Sequence, residues 1–168
     1  MLMSLWKSRI EREWNRPTYR FLFAVFFDVS DIKTDRHTPE QRRRNMQSVR
    51  SKDSKIELKL RRALWAAGVR YRLHVRNLPG NPDLVMMRAR LVIFVDSEFW
   101  HGHDWEHRKH DIKSNKEFWI TKIERNISRD IEVSKQLESA GWKVLRFWGM
   151  SISRDVDSVV SEILKHAK

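Results

Sequence analysis

The sequence predicts an α/β domain with a mixed sheet set between helices. Two observations carry this: helix, three β-like runs, helix, strand and helix follow one another along the chain, and Gly, Pro or polar breaks separate them. The 168 residues suit one compact domain, and 40% hydrophobic with 11% aromatic content supplies a packable core rather than a disordered basic tail.

Taken in order, residues 1–37 read as an N-terminal extension: a charged segment bearing Trp6 and Trp14, the apolar run 21–27, and a polar stretch. Such an extension docks on the core as an accessory element or serves as a dimerising or partner-binding arm. The remainder, 38–168, is regular. Thr38-Pro39-Glu40-Gln41 reads as an N-cap followed by Pro at the first helical position, predicting a helix to about residue 50. Ser51-Lys52-Asp53-Ser54 breaks it. Ser54 caps a second helix with Ile56, Leu60, Ala63, Leu64 and Ala67 at helical spacing and Gly68 at its stop. Three β-like runs follow at 69–75, 83–87 and 91–95. Leu78-Pro79-Gly80-Asn81-Pro82 turns between the first two, and Arg88-Ala89-Arg90 is short enough for a hairpin between the others. A His- and Lys-rich irregular stretch leads to a long helix at 116–140, ended by Gly141. A fourth strand at 143–148 and an amphipathic helix at 155–168 close the chain.

Composition restricts function. No run approaches the roughly 18 apolar residues of a membrane-spanning helix, and Met1 to Leu5 contains no signal-peptide core, so a cytoplasmic location is expected. The absence of Cys excludes disulfides, thiolate zinc sites, iron–sulfur clusters and Cys nucleophiles. A formal charge of +12 favours a polyanion. Between Gln41 and Arg76 twelve Lys/Arg face only Asp53 and Glu57, which matches a phosphate-backbone footprint.

Carboxylates occur where core faces are due. Glu57 lies three residues before Leu60 and seven before Leu64; Asp130 lies three after Ile127 and seven before Leu137. Both point inward or nearly so, which requires a cation, a metal or good donors, and a structural ion pair satisfies that as readily as catalysis does. Asp83 opens an apolar strand after Pro82, and Asp96 ends the next strand, so a hairpin brings them near each other as a site for a hard cation such as Mg²⁺. His101, His103, His107 and His110 follow. A His-only zinc site needs three or four convergent rings, whereas one His beside a metal carboxylate fits proton transfer in hydrolysis. Phe99-Trp100 and Phe118-Trp119 flank this stretch, as core or as a base-stacking surface.

Together, Arg44-Asn45-Met46, Ser51-Lys52-Asp53-x-Lys55-x-Glu57, Tyr71-Arg72-Leu73-His74-Val75, Leu78-Pro79-Gly80-x-Pro82-Asp83-Leu84-Val85, Val92-Ile93-Phe94-Val95, Phe99-Trp100-His101-Gly102-His103, Glu117-Phe118-Trp119 and Gly141-Trp142-Lys143-Val144-Leu145 resemble the very short patch repair (Vsr) endonucleases, over residues 38–152. The resemblance implies that 38–168 is an endonuclease domain of restriction-endonuclease-like (PD-(D/E)XK) fold. It also implies Mg²⁺-dependent nicking of double-stranded DNA 5′ to the T of a T:G mismatch. Asp83 is implied as the central ligand of one or two Mg²⁺ ions, with the Val95 backbone carbonyl as another. Glu57 and Asp130 are implied as supports of the ion's water shell or of the catalytic His, and His101 as general acid/base. Phe99, Trp100 and Trp119 resemble the family's major-groove wedge, with Met46 beside Asn45 entering from the minor groove.

Two departures stand out. The family's structural zinc, held by three Cys and one His, maps to Glu98, His103, Trp105 and Met150, so no zinc is expected. Where the family places a His at the end of the active-site strand this chain has Asp96, a candidate replacement ligand or proton carrier. A homing- or restriction-type enzyme cutting both strands as a dimer, and an inactive DNA-binding module, are the alternatives to a monomeric nicking enzyme. A nucleoid-associated setting, bacterial or phage-like, with or without a repair-protein partner, suits the nicking enzyme.

Overall fold

The computed structural model describes Thr38, Glu40, Gln41, Arg44, residues 53–113 and residues 115–167. The chain divides into two compact units, Met1–Arg50 and Ser51–Lys168. In the first, Thr38 Oγ1 accepts from the Gln41 N–H at 3.2 Å while Gln41 Oε1 accepts from the Thr38 N–H at 2.9 Å. This is a reciprocal capping box, and Glu40, Gln41 and Arg44 are helical. The rest of the expected 38–50 helix, the 1–37 extension, the division expected between residues 37 and 38, and Asn45 and Met46 lie outside the described residues.

The second unit opens with α1 (Lys55–Ala66), whose Ser54 cap accepts from the Glu57 N–H. Its end carries the paired bonds of a Schellman stop: Val69 N–H to Leu64 O at 2.9 Å and Gly68 N–H to Trp65 O at 3.1 Å. The segment 69–75 is not the expected strand. Only Arg72 pairs, with Val85, and His74 at φ +54° turns the backbone out of the extended region. β1 (Leu84–Met86) and β2 (Leu91–Asp96) form the expected antiparallel hairpin, Leu84 opposite Ile93.

After β2 come two short elements that the sequence does not signal, α2 (Trp105–Arg108) and a 3₁₀ turn at Lys109–Asp111. α3 (Lys116–Ser139) is the long helix. It ends as α1 does, with Trp142 N–H bonded to Leu137 O and Gly141 N–H to Glu138 O. β3 (Lys143–Trp148) then pairs parallel to β2, giving the mixed order β1-β2-β3. The short α4 (Gly149–Arg154), also unsignalled, precedes α5 (Val156–His166), which Asp155 caps.

The sheet separates two apolar layers. Val85, Val92, Phe94 and Val144 pack with Leu137 and Val133 of α3. Alternation along the strands sends Leu91 and Ile93 to the opposite face, and α1 packs against α4 and α5, which together bury Leu60, Leu64, Ile152 and Ile163. No helix among the described residues is long and apolar enough to cross a membrane.

Candidate active site

Residues from β2, β3, the middle of α3 and the approach to β1 form a cluster of acids with a His and an Arg, and α1 contributes an acid and a second Arg nearby. Asp83 stands just before β1, where its N–H donates to Ile93 O at 3.0 Å and its Oδ2 accepts from the Val95 N–H at 2.7 Å. The carboxylate is thereby fixed to the strand that carries Val95. Burial pushes its pKa up to about 6 against the relief of the Val95 N–H; the charges of Glu57 and Asp96 push the same way, while Arg61 pulls back.

Glu57 is buried, in keeping with its helical phase, and its Oε2 accepts from the Asp53 N–H at 3.1 Å and from Arg61 Nη2 at 3.0 Å. Arg61, one turn on and also buried, bonds Asp53 as well. The inward acid is therefore held by a cation from its own helix.

His101 follows β2 on a loop that lies against α3. Its Nδ1–H donates to Asp130 Oδ2 at 2.6 Å and lies 3.5 Å from Asp96 Oδ1. Burial opposes the charged imidazole, yet the Asp130 bond and the two carboxylate charges outweigh burial and the Arg146 charge, so its pKa is raised. For Asp130, burial is likewise outweighed by the His101 bond and the Arg146 charge, and its pKa is lowered. Asp96, the candidate ligand or proton carrier, has both oxygens on Arg146, at 2.6 Å from Nε and 2.8 Å from Nη2.

The other histidines diverge. His103 meets the Trp148 ring edge-on with centroids 4.8 Å apart, and the exposed His107 bonds Asp104 at 2.6 Å. Of the remaining positions matched to the family's zinc, Glu98 accepts from the Met150 N–H and Trp105 has a buried indole N–H.

The aromatic residues are brought together. Phe99, Trp100 and Trp119 form a triangle of edge contacts with centroids 5.2, 5.4 and 5.7 Å apart, and Phe118 joins Trp119 at 5.1 Å. Phe99 and Phe118 stay exposed, and Lys122 lies 5.0 Å from the Trp100 centroid. Asn126 of α3 donates to the Trp100 carbonyl at 3.0 Å and ties this corner to the helix that carries Asp130.

A sequence model of the DNA mismatch endonuclease Vsr matches residues 34–107. The type II nicking enzyme V.NmeDIP of Neisseria meningitidis serogroup C is 50% identical over 129 residues, covering 77% of this chain and 87% of that protein. The chain belongs to the Vsr endonuclease family. V.HpaIIP, a type II nicking enzyme of Haemophilus parainfluenzae, is 49% identical over 132 residues, 78% of this chain and 94% of that protein. The DNA mismatch endonuclease Vsr of Escherichia coli strain K12 is 36% identical over 114 residues, 68% of this chain and 72% of that protein. The protein is thus a DNA endonuclease, a hydrolase of phosphodiester bonds that nicks near mismatches.

In this Vsr chain, helical phase and strand position mark the acids of the cluster in the sequence, but sequence reasoning misses both Arg. Arg61 is detectable from its place four residues after Glu57, next to Leu60 on the inward face. For Arg146 the signal is a charge in the middle of an apolar strand, where burial demands an anion. Among the described residues no three His, Asp or Glu side chains are arranged to hold a metal ion.

Proposed function

We propose that this enzyme nicks one strand of double-stranded DNA beside a T:G mismatch, on a restriction-endonuclease-like scaffold, with Mg²⁺ held by the Asp83 carboxylate and the Val95 carbonyl. The observation that carries the reading is His101 tied through Nδ1 to Asp130, in a cluster where burial and like charge both act on the Asp83 carboxyl. A carboxylate raised in this way favours a cation beside it. One carboxylate with one backbone oxygen is the sparse, hard donor set that suits Mg²⁺, an ion that keeps several of its waters. When bound, the ion draws charge from the scissile phosphate and makes water more acidic.

The protein's own groups do the rest. Because Nδ1 is committed to Asp130, Nε2 is the ring nitrogen left to take a proton from the attacking water, and the Asp130 charge stabilises the resulting imidazolium. Asp83, fixed to β2 by its bond to the Val95 N–H, would hold the cation. Glu57, held by Arg61, adds negative potential at Asp83. The corner of Phe99, Trp100 and Trp119 offers ring faces and edges to unstacked bases. One such set of groups per chain cuts one strand, so a monomer suffices.

End-labelled duplexes with T:G or fully paired sequence, incubated with Mg²⁺ or EDTA and run on denaturing and native gels, test this reading. The expected result is Mg²⁺-dependent cleavage of the T strand of the mismatched duplex alone. Asp83→Ala abolishes that cleavage while leaving DNA affinity within about threefold, as loss of a group used only in the chemistry does. Double-strand cuts in paired DNA, or nicking retained by Asp83→Ala, overturn it.

A further inference from the structure

Arg146 lies on β3 opposite Phe94 in the parallel register, with only 11% of its side chain exposed. A guanidinium is unfavourable there unless its N–H groups are engaged. Its Nε and Nη2 hold the two oxygens of Asp96, Nη2 lies 3.4 Å from Asp130 Oδ1, and its Cζ sits 4.6 Å over the Phe94 ring. The same two carboxylates face His101 from the other side: Asp130 through Oδ2, which Nδ1 contacts, and Asp96 through Oδ1 at 3.5 Å. Guanidinium and imidazole are therefore bridged by two carboxylates, one from β2 and one from α3.

Two acceptors thus compete for one Nδ1–H. Asp96 loses because both of its oxygens are held in a bidentate fork, the strongest geometry a carboxylate finds with Arg. We propose that Arg146 is a positioning residue for strand cleavage: by sequestering Asp96 and steadying Asp130, it commits Nδ1 of His101 to Asp130 and leaves Nε2 aimed for proton transfer. The inference rests on the role given to His101 above. Without Arg146, Asp96 is an uncompensated buried anion beside the imidazole and draws the ring toward itself. A misplacement of about 1 Å at a catalytic group costs up to about a hundredfold in rate.

The test uses the full chain carrying Arg146→Met, Arg146→Lys, and the double change Asp96→Asn with Arg146→Met. Single-turnover nicking of a saturating T:G duplex with Mg²⁺, duplex Kd, and the ¹⁵N-edited NMR signal of the His101 Nδ1 proton are read together. Arg146→Met is expected to nick about tenfold slower or worse, with Kd within about twofold and a shifted or missing Nδ1 proton signal. Arg146→Lys recovers part of the rate, since it restores the charge without the fork. The double variant recovers rate relative to Arg146→Met, because the competing anion is gone. If Arg146→Met fails to fold, Arg146→Lys decides: nicking slower than wild type with a shifted Nδ1 signal is expected, and a wild-type rate with a wild-type signal overturns the proposal. Wild-type rates in all three variants, or slow nicking with an unchanged His101 signal, overturn the proposal. A parallel His101→Ala control separates the two readings: if that variant nicks normally, the assignment of His101 is wrong, whereas an inactive His101→Ala beside a normal Arg146→Met removes the positioning role alone.

Discussion

A carboxyl group that titrates near 3.8 in an unfolded chain and at about 6 in the folded one makes stability depend on pH. The folded state holds the Asp83 proton more tightly, so the group's contribution is fully present below about pH 4 and lost as pH rises through about 6. Asn cannot lose a proton, and its carbonyl can still accept the Val95 N–H. Asp83→Asn is therefore expected to match the wild type in thermal stability at pH 4 and to exceed it at pH 7.5 in EDTA. The full shift corresponds to about 3 kcal/mol, which solvent access to the half-buried group reduces to about 1–2 kcal/mol. Equal melting temperatures at pH 7.5 would refute the burial and crowding of an ionised Asp83. Asp83, Glu57 and Asp130 are legible in the sequence because each breaks a local rule, an acid on an apolar stripe or at a strand mouth. Arg146 also breaks a rule, as a charge inside an apolar strand, but its partner is not legible, since Asp96 lies 50 residues away and meets it only across a strand pairing.

At the scale of elements, the loop from β2 to α2 carries His101 and is seated on α3. Gly102 has φ +68°, and a Cβ added there would meet Ile127 Cδ1 at 2.5 Å and Ile123 Cγ2 at 3.2 Å. Gly102→Ala thus combines a left-handed backbone with overpacking against the helix that bears Asp130. The expected loss is about 2–4 kcal/mol in chemical denaturation, with nicking reduced further than the unfolded fraction explains. Normal stability would mean that the loop lifts freely from α3. The long helices are readable because their signals are local: Ser54 at one end of α1, and Gly68 and Gly141 as stops. The run 69–75 misleads because its alternation of side chains fits a strand, whereas the left-handed turn at His74 is invisible to alternation. α4 carries no such signals, being six residues long and beginning with Gly.

Across the whole molecule, charge governs the approach to DNA. The chain carries +12, and Arg62, Arg70, Arg72 and Arg76 are exposed on and after α1. Each phosphate they neutralise releases counterions, so duplex affinity is expected to fall steeply with salt. Six to ten such contacts correspond to a loss of about 10³ to 10⁵ between 50 and 200 mM. Fluorescence anisotropy across that range measures the slope, and a flat dependence would contradict a phosphate-tracking surface. The parallel pairing of β2 with β3 has a kinetic corollary. Those strands meet only after α3 has crossed between them, and long-range parallel pairing closes late in folding. Until it closes, Arg146 is remote from Asp96, so the Arg146–Asp96 fork beside His101 is completed only when the sheet itself is.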